Sequence, residues 1–271
     1  MFMALVENHA LPVTLKPIGV VESSMKSTGA IPYTGNWAKV RVFPAYLPAM
    51  HRMTEHSHFW ILCWFHEADR SLLRKIPGVN PHLPEYGVFG LRAAQRPNPI
   101  GLTLVDLEKV EGDMLYVSGL DAVDGTPVLD IKPYFESDIV FSPKTPHIRT
   151  AKYHLRERDF HKQALAHHGE ECLGLELGVQ MALIIDTCFG KIQAPDLQVT
   201  VTGDPCLADV LQGLTRARLA NPARFCYRES TGAATVTWQK DDKAVKFRVR
   251  PGVDLTAARE AADDLFDFEV L

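Results

Sequence analysis

The feature that most constrains this chain is the hexapeptide Arg96-Pro97-Asn98-Pro99-Ile100-Gly101. Two prolines around an asparagine exclude a helix there and hold the backbone extended or in a turn. Gly101 permits another group to approach the backbone closely. Because apolar segments that favour strands lie on both sides, we expect a stiff loop between strands that carries Arg96 and Asn98 outward.

A second turn follows at residues 121–127 (DAVDGTP), which is rich in carboxylates and ends at a proline. Together the two loops would form a binding surface, with guanidinium donors on one side and carboxylate acceptors on the other. The competing interpretation is that both are ordinary tight turns with solvated charges, because most loops carry no function.

Short segments with strand-like patterns fill the first half of the chain, and their spacing is typical of a barrel. The run SHFWILCWFH at residues 57–66 is too short to span a membrane and suits a strand buried on both faces. No Gly-x-Gly-x-x-Gly follows any of these segments, which argues against a Rossmann-type fold. The predicted strands are residues 14–22, 38–44, 57–66, 86–91, 102–109, 114–119 and 128–132, with one or two helical turns at 47–54.

The proline-bounded segment SPKTP at residues 142–146 predicts a linker, after which helical patterns dominate. We predict two domains, a mainly β domain at 1–145 that forms a small antiparallel barrel and an α+β domain at 146–271. Asp204 is expected to cap a helix that has Pro205 at its first position. The other predicted helices are 152–168, 173–186 (buried) and 254–265, and the predicted strands are 197–203, 233–239 and 244–250.

Charge and cysteine usage limit the possible partners and the compartment. The net charge is −4 and neither half of the chain is basic overall, so a nucleic-acid partner would need a local basic patch. Five cysteines without a Cys-x-x-Cys pair favour a reducing compartment over a disulfide framework. The start of the chain lacks the features of a signal peptide. We therefore predict a cytoplasmic protein without membrane association.

The blocks GVFGLRAAQRPNPIGL and SGLDAVDGTPVLDIKPY resemble a known family of tRNA N6-methyladenosine methyltransferases. Members of that family act on threonylcarbamoyl-adenosine at position 37, use S-adenosylmethionine and are built on a small antiparallel β-barrel. The resemblance covers residues 14–142. It implies S-adenosylmethionine as the cofactor, tRNA as the substrate and a homodimer.

The resemblance also implies roles for individual residues. Arg92 is assigned to the cofactor's carboxylate or adenosine region, and Arg96 and Asn98 to holding the nucleotide or the loop. Asp130, Tyr134 and Asn98 are the candidates for catalysis, and no general base is assigned. The predicted cofactor-binding residues are Thr34, Gly35, His66, Glu67, Arg92, Leu102, Asp121, Ala122, Val123 and Asp124.

In the second half, HHGEECLGLELGVQMALI resembles the signature of a family of proteins related to formylmethanofuran dehydrogenase. That signature implies a metal or cofactor pocket of histidine and cysteine. His168, Cys172 and Cys206 match it, whereas Glu170 replaces a second histidine and Ala217 a later cysteine. A zinc site and a degenerate domain kept for folding or dimerisation both remain open, and we predict no catalytic metal, or zinc bound only weakly.

Three functions follow from these patterns. The leading hypothesis is an S-adenosylmethionine-dependent RNA methyltransferase. The second is a binding module that senses S-adenosylmethionine, or an accessory protein in metal-cofactor metabolism. The third is a scaffold whose pockets bind no ligand.

Overall fold

The structure is a computed structural model that describes residues 14–30, 35–260 and 265–271. The chain forms two compact units. The first contains residues up to 77 together with 84–139, and the second contains 78–83 together with 140–271. Among the described residues, no helix combines the length and the apolar character needed to cross a membrane.

The first unit is a closed antiparallel barrel, which confirms the predicted fold class. Its strand order is β1-β2-β7-β6-β3-β8. Strands β4 and β5 form a separate two-stranded sheet. The strands are β1 (Gly19–Glu22), β2 (Asn36–Val42), β3 (His58–Trp64), β4 (Arg74–Lys75), β5 (Tyr86–Gly87), β6 (Ile100–Glu111), β7 (Met114–Leu120) and β8 (Pro127–Pro133).

Alternate side chains of these strands fill the barrel, because successive residues of a strand point to opposite faces. On β3, for example, Phe59, Ile61 and Cys63 are buried inside the barrel. The residues between them are only partly buried, so the prediction that this strand is buried on both faces is wrong. A barrel wall has one inner face, and the outer face of β3 keeps some contact with solvent.

The predicted strand at residues 86–91 is also largely wrong. Only Tyr86–Gly87 is extended, and Val88–Gly90 forms a 3₁₀ turn. The first strand begins at Gly19 rather than at residue 14, and the helical turns expected at 47–54 are the 3₁₀ segments Pro44–Met50 and Met53–Glu55. Because the barrel is closed, its six strands leave no exposed edge that a second chain could pair with.

The second unit combines helices with a five-stranded sheet of order β10-β9-β11-β12-β13, which confirms the predicted α+β class. Strands β9 and β10 are parallel and the other neighbours are antiparallel. The elements are α1 (Tyr153–His168), α2 (Leu173–Cys188), β9 (Leu197–Gly203), α3 (Pro205–Thr215), β10 (Phe225–Glu229), β11 (Thr235–Lys240), β12 (Lys243–Val249), α4 (Leu255–Glu260) and β13 (Phe266–Val270).

Most elements of this unit agree with the sequence-based predictions. Asp204 caps α3, because its Oδ1 accepts the backbone N–H of Cys206 at 2.7 Å, and Pro205 follows as the first helical residue. Helix α2 is buried along most of its length. Strands β10 and β13 were not predicted. The last helix was expected to reach residue 265, but the described helix ends at Glu260, residues 261–264 lie outside the described part, and β13 begins at Phe266.

Two glycines allow α2 and α3 to pack closely. A Cβ atom at Gly174 would lie 2.7 Å from the backbone nitrogen of Leu207, and one at Gly178 would lie 2.5 Å from Cγ1 of Val210. Real side-chain atoms do not approach so closely, so only glycine permits this packing. The close contact brings the N-terminal end of α2 against the N-terminal end of α3.

The buried carboxylate of Asp186 on α2 fixes the segment that precedes α1. It accepts hydrogen bonds from His147 Nε2 at 3.0 Å and from Arg149, and Arg156 Nη1 lies 3.6 Å away. Burial by itself would raise the pKa of Asp186, but the hydrogen bonds and charges of His147 and Arg149 outweigh it, so the pKa is lowered.

We therefore expect Asp186→Asn to lower the free energy of unfolding by about 1–3 kcal/mol at pH 7, because a charge-assisted hydrogen-bond acceptor is lost. A carboxyl group with a lowered pKa stabilises the fold above its unfolded value near 4, and this contribution disappears as pH falls through the folded value. The difference between the two proteins should therefore shrink below about pH 4. Urea unfolding at pH 7 and pH 3 measures both effects.

The matched control is Asp242→Asn, an exposed aspartate in the turn between β11 and β12. It should change stability by no more than about 0.5 kcal/mol. An Asp186→Asn protein as stable as the control at pH 7 would show that the ion-pair cluster does not fix this segment.

Candidate functional site

A cavity of about 220 Å³ opens at one end of the barrel. It lies where β1, β3 and β7 end and where β6 and β8 begin, because antiparallel strands bring those connections to the same rim. The residues that line it are Thr28, Phe65, His66, Glu67, Ala68, Ala94, Gln95, Asp121, Ala122, Val123 and Thr126.

Five of the predicted cofactor-binding residues meet in this cavity. His66 and Glu67 follow β3, with His66 Nε2 and Glu67 Oε1 3.9 Å apart. Asp121, Ala122 and Val123 come from the turn between β7 and β8. The structure therefore joins two segments that are far apart in the chain.

The two carboxylates of the β7–β8 turn have different environments. Part of Asp121 reaches solvent, but its carboxyl group loses water at the cavity wall, and this desolvation raises its pKa. Asp124 is not among the described residues that line the cavity. Its carboxylate pairs with Lys26 Nζ at 2.7 Å and accepts the backbone N–H of Ser23 at 2.9 Å, and both interactions lower its pKa. Asp124 thus ties the turn to the end of β1.

Thr126 is a cavity residue that sequence reasoning missed. Its side chain is 1% exposed, and its Oγ1 has no hydrogen-bond partner within the part of the chain that the structure describes. Leaving a buried hydroxyl group unpaired costs free energy, so the atom is available to a bound ligand. The sequence Asp-Gly-Thr predicts a turn, and a hydroxyl group directly after that turn is the signal that could have identified Thr126.

The glycine of the proline-rich motif shapes the cavity wall indirectly. A Cβ atom at residue 101 would lie 2.2 Å from Cζ of Phe65. Gly101 pairs with Cys63 on the neighbouring strand, and Phe65 lines the cavity. The absence of a side chain at Gly101 therefore lets the Phe65 ring lie across the strand at the cavity.

Arg96 does not point outward as predicted. Its Nε donates to the Ala93 carbonyl at 2.9 Å, and its Nη2 donates to the carbonyls of Val88 at 2.8 Å and of Leu91. Two of these acceptors, the carbonyls of Val88 and Leu91, lie in the segment that was predicted to be a strand. The guanidinium group thus folds residues 88–96 into the loop that carries Ala94 and Gln95 to the cavity.

Of the remaining predicted cofactor residues that the structure describes, Gly35, Arg92 and Leu102 do not line the cavity. Leu102 is exposed on β6, next to Leu62 of β3. Gly35 has a φ of +77°, and a Cβ atom there would meet the carbonyl oxygen of Gly119 at 2.2 Å, so its role is to permit a close backbone approach. Arg92 and Asn98 are exposed on the loop before β6. Thr34 lies outside the described residues.

The two other catalytic candidates lie near the opposite end of the barrel. Asp130 lines a second cavity of about 450 Å³, accepts the backbone N–H of Ile131 at 2.9 Å and pairs with Lys132 Nζ at 2.8 Å. The ring of Tyr134 lies 6.1 Å from that of Trp60. Among the described residues, neither side chain lines the cavity that contains Asp121.

The second unit contains a separate cluster of metal-ligating side chains. One donor atom from each of His168, Glu170, Cys172 and Cys206 lies within 4.8 Å of the others. Burial raises the pKa of Cys206 to about 11, with smaller effects of Asp204 and Cys172. The three residues matched by the sequence signature thus do meet in space, and Glu170 joins them.

Comparison with known proteins finds two family models that match this chain, one in each half. Residues 20–138 match the family model described as the tRNA-methyltransferase O N-terminal domain. Residues 167–268 match the family model described as FmdE, from the molybdenum formylmethanofuran dehydrogenase operon.

Curated relatives match this chain over shares that range from 30% to 88% of its length. A probable S-adenosyl-L-methionine-binding protein of Archaeoglobus fulgidus is 32% identical over 256 residues, which are 88% of this chain and 67% of the relative. Another, from Methanothermobacter thermautotrophicus, is 42% identical over 130 residues, or 46% of this chain and 93% of the relative. A tRNA (adenine(37)-N6)-methyltransferase of Mus musculus is 54% identical over 84 residues, which are 30% of this chain and 19% of the relative.

We expect Arg96→Ala to lower the free energy of unfolding by about 1–3 kcal/mol, because three carbonyl groups lose their charged donor. Amide hydrogen exchange should accelerate first in residues 88–96, since the guanidinium group holds that loop. Urea unfolding and hydrogen-exchange mass spectrometry measure the two effects.

Arg92→Ala is the matched control, because Arg92 is an arginine of the same loop and is not held by those carbonyl groups. It should change stability by no more than about 0.5 kcal/mol. Equal effects of the two substitutions would contradict the role that we assign to Arg96.

Proposed function

The chain belongs to the family of S-adenosyl-L-methionine-binding proteins built on the tRNA-methyltransferase O N-terminal domain, and from this premise we propose that it is a tRNA methyltransferase. Its barrel binds S-adenosylmethionine and transfers the methyl group to N6 of adenosine 37. The specific acceptor is threonylcarbamoyl-adenosine. The proposal extends to a cytoplasmic location, which the cysteine pattern supports, and to a homodimer, which the resemblance of the RPNPIGL and DGTPVLDIKPY blocks supports.

The observation that carries the proposal is the convergence of His66, Glu67, Asp121, Ala122 and Val123 on one cavity. The family resemblance alone singles out these residues, without any information on their positions in space: His66 and Glu67 at the end of the run SHFWILCWFH, and residues 121–123 within the block SGLDAVDGTPVLDIKPY. They belong to two segments that are more than 50 residues apart in the chain, and a binding site requires these segments at one place.

Asp121 and Thr126 supply the polar contacts of this site. The Asp121 carboxylate accepts hydrogen bonds from the ribose hydroxyls or the amino group of the cofactor and favours its cationic sulfonium. Thr126 Oγ1 forms a hydrogen bond with a polar atom of the ligand, which gives this buried hydroxyl group a partner. Phe65 provides an aromatic surface at the cavity wall.

The chemistry asks little of the protein beyond positioning. The methyl group of a sulfonium is already activated, so in-line displacement needs the acceptor nitrogen held on its axis and water excluded. The adenine N6 is a poor nucleophile because its lone pair is delocalised into the ring. As the N–CH₃ bond forms, the S–CH₃ bond breaks with its electron pair left on sulfur, and the N6 proton passes to solvent during or after attack. Arg92 and Asn98 lie on the loop that reaches the cavity, and we assign them to contacts with the cofactor and the nucleotide.

Arg96 acts as a positioning residue in this proposal, because its donors are taken by backbone carbonyls. Asp130 and Tyr134 receive no catalytic role at this cavity, since they lie near the other end of the barrel.

We expect Thr126→Val to weaken S-adenosylmethionine binding by about 0.5–1.5 kcal/mol, or roughly 2- to 12-fold in Kd, because one ligand hydrogen bond is lost while the side-chain volume is kept. Isothermal titration calorimetry on the full chain measures this change. Thr103→Val on β6 is the control, because that half-buried threonine is not among the described residues lining the cavity. Equal Kd values for the two variants would remove Thr126 from the site.

The activity itself is tested with purified tRNA that carries or lacks threonylcarbamoyl on adenosine 37. The chain is incubated with methyl-labelled S-adenosylmethionine, and the nucleosides are analysed by mass spectrometry. We expect label on the threonylcarbamoyl-adenosine and much less on the unmodified adenosine. Binding of S-adenosylmethionine without methylation of either tRNA would favour the sensor hypothesis instead. A folded chain that binds neither S-adenosylmethionine nor tRNA would favour the scaffold hypothesis.

A further inference from the structure

Aromatic and basic side chains lie together on the outer face of the barrel, where β2, β7 and β6 are neighbours. Lys39 of β2 is paired with Tyr116 of β7, and Tyr116 is paired with Lys109 of β6. The residues on either side of Lys39 and of Tyr116 are buried in the barrel core. Because successive residues of a strand point to opposite faces, these three side chains point outward in one row.

Trp37 extends this row. It is the second residue of β2, faces outward like Lys39 and is 52% exposed. Its ring centroid lies 5.8 Å from that of Tyr116. Lys39 Nζ lies 6.0 Å from the Trp37 ring centroid and 5.1 Å from that of Tyr116, and Lys109 Nζ lies 4.3 Å from the Tyr116 centroid. We call Trp37, Lys39, Lys109 and Tyr116 the outer row.

The positive charges of this face are only partly neutralised. Arg41 pairs with Glu22, and Lys109 Nζ donates to Glu111 Oε1 at 2.8 Å. Lys39 forms no ion pair within the described part of the chain, and its ammonium group lies near the two aromatic rings. The outer row therefore offers an anion the charge and the three N–H donors of Lys39 beside an exposed aromatic surface.

The outer row begins at the rim that carries the candidate cofactor cavity. The pairing of β2 with β7 starts at Asn36 and Leu120, and residues 121–123 of the cavity follow directly. Trp37 is the next residue of β2 after Asn36. A chain that enters the cavity with one group can therefore continue over Trp37 and along the outside of the barrel wall.

We propose that the outer row binds the single-stranded RNA on one side of the target adenosine, with a base stacked on Trp37 and a phosphate paired with Lys39. Single-stranded RNA is recognised by bases stacked on aromatic side chains and by basic groups that follow the phosphates. The sequence predicts that a nucleic-acid partner needs a local basic patch, because the net charge is −4. This inference rests on the proposed function, since it takes tRNA as the substrate.

The wall formed by β3 and β8 is a weaker candidate for the same ligand. Its rings of Trp60 and Tyr134 lie 6.1 Å apart, but Lys132 pairs with Asp130 at 2.8 Å. The carboxylate neutralises that lysine and would repel a phosphate. Strand β8 lies three strands away from β7 in either direction around the barrel, so the two walls can be tested separately.

A second copy of this chain is the other candidate occupant of the outer row. A twofold interface joins the same surface of both copies. The lysines of one copy would then lie close to those of the other, which is unfavourable at an interface without additional carboxylates. An RNA strand brings the complementary charge, so it suits this surface better.

The experiment measures the Kd of the full chain for fluorescently labelled tRNA that carries threonylcarbamoyl-adenosine at position 37. Trp37→Ala should weaken tRNA binding about 5- to 100-fold, because the stacking surface for one base is lost. Trp37→Phe keeps an aromatic ring and should retain most of the affinity. Calorimetry should give an unchanged Kd for S-adenosylmethionine in both variants, because Trp37 is not among the described residues that line the cavity.

Lys39→Gln tests the charge and leaves the aromatic rings in place. It should weaken tRNA binding and lower the slope of log K against log salt concentration by about 0.7–0.9, the value for one lost phosphate contact. The matched controls lie on or next to β8. They are Phe135→Ala, whose ring is 50% exposed, and Lys132→Gln, an exposed lysine. Both should bind tRNA as the parent chain does, and circular dichroism confirms that each variant is folded.

Equal tRNA affinity in the parent chain, Trp37→Ala and Lys39→Gln would overturn this inference and leave the proposed function standing. So would weaker binding in the two controls alone, because the RNA would then lie on the β3–β8 wall. A dimer that becomes a monomer in Trp37→Ala with unchanged tRNA affinity, seen by light scattering, would assign the outer row to contact between copies. A parent chain that binds S-adenosylmethionine but no tRNA would overturn the proposed function as well.

Discussion

Closure of the barrel between β1 and β8 is the constraint on which the candidate cofactor site depends. Only two residues of each strand are paired, Gly19 with Val128 and Val20 with Pro127. Hydrogen bonds from Val21 N to the Thr126 carbonyl at 2.9 Å and from Gly125 N to the Val21 carbonyl at 2.8 Å extend this seam into the β7–β8 turn. The same residues that close the barrel therefore place Ala122, Val123 and Thr126 at its rim. The ion pair of Asp124 with Lys26 continues the seam beyond the strands.

The two aspartates of the β7–β8 turn look alike in sequence but lie in different surroundings. Asp121 and Asp124 are three residues apart and chemically identical, but one carboxyl group is partly desolvated at the cavity wall and the other is held by a lysine and a backbone N–H. In the function that we propose, the first carboxylate binds the cofactor, and the second holds the turn to the end of β1. A similar division holds in the proline-rich loop, where Arg96 binds the backbone and leaves Arg92 and Asn98 to other contacts.

Patterns that depend on neighbours in the chain were predictable. The buried helix α2, the Asp204 cap of α3 and the short strands of the barrel follow from local spacing and capping chemistry. The direction of the Arg96 side chain was not, because its acceptors at Val88 and Leu91 are presented by a turn that Arg96 itself stabilises. Strands β10 and β13 lie at the two edges of their sheet, where amphipathic alternation is weak. Gln95 could not be assigned to the cavity from sequence, since only the closed barrel brings its loop to the β7–β8 turn.

The contact between Gly101 and Phe65 has a consequence for how ligand size is set. The Phe65 ring rests against the strand because Gly101 has no side chain. The volume of the cavity therefore depends on a residue that lies on the far side of this ring from the ligand. A methyl group added at residue 101 would act like a wedge, moving the ring without touching the ligand. Such a remote adjustment alters which molecules fit while leaving the polar groups of the site unchanged. The residue at position 101 therefore also limits the size of the ligand that the cavity can hold, through the position of the Phe65 ring.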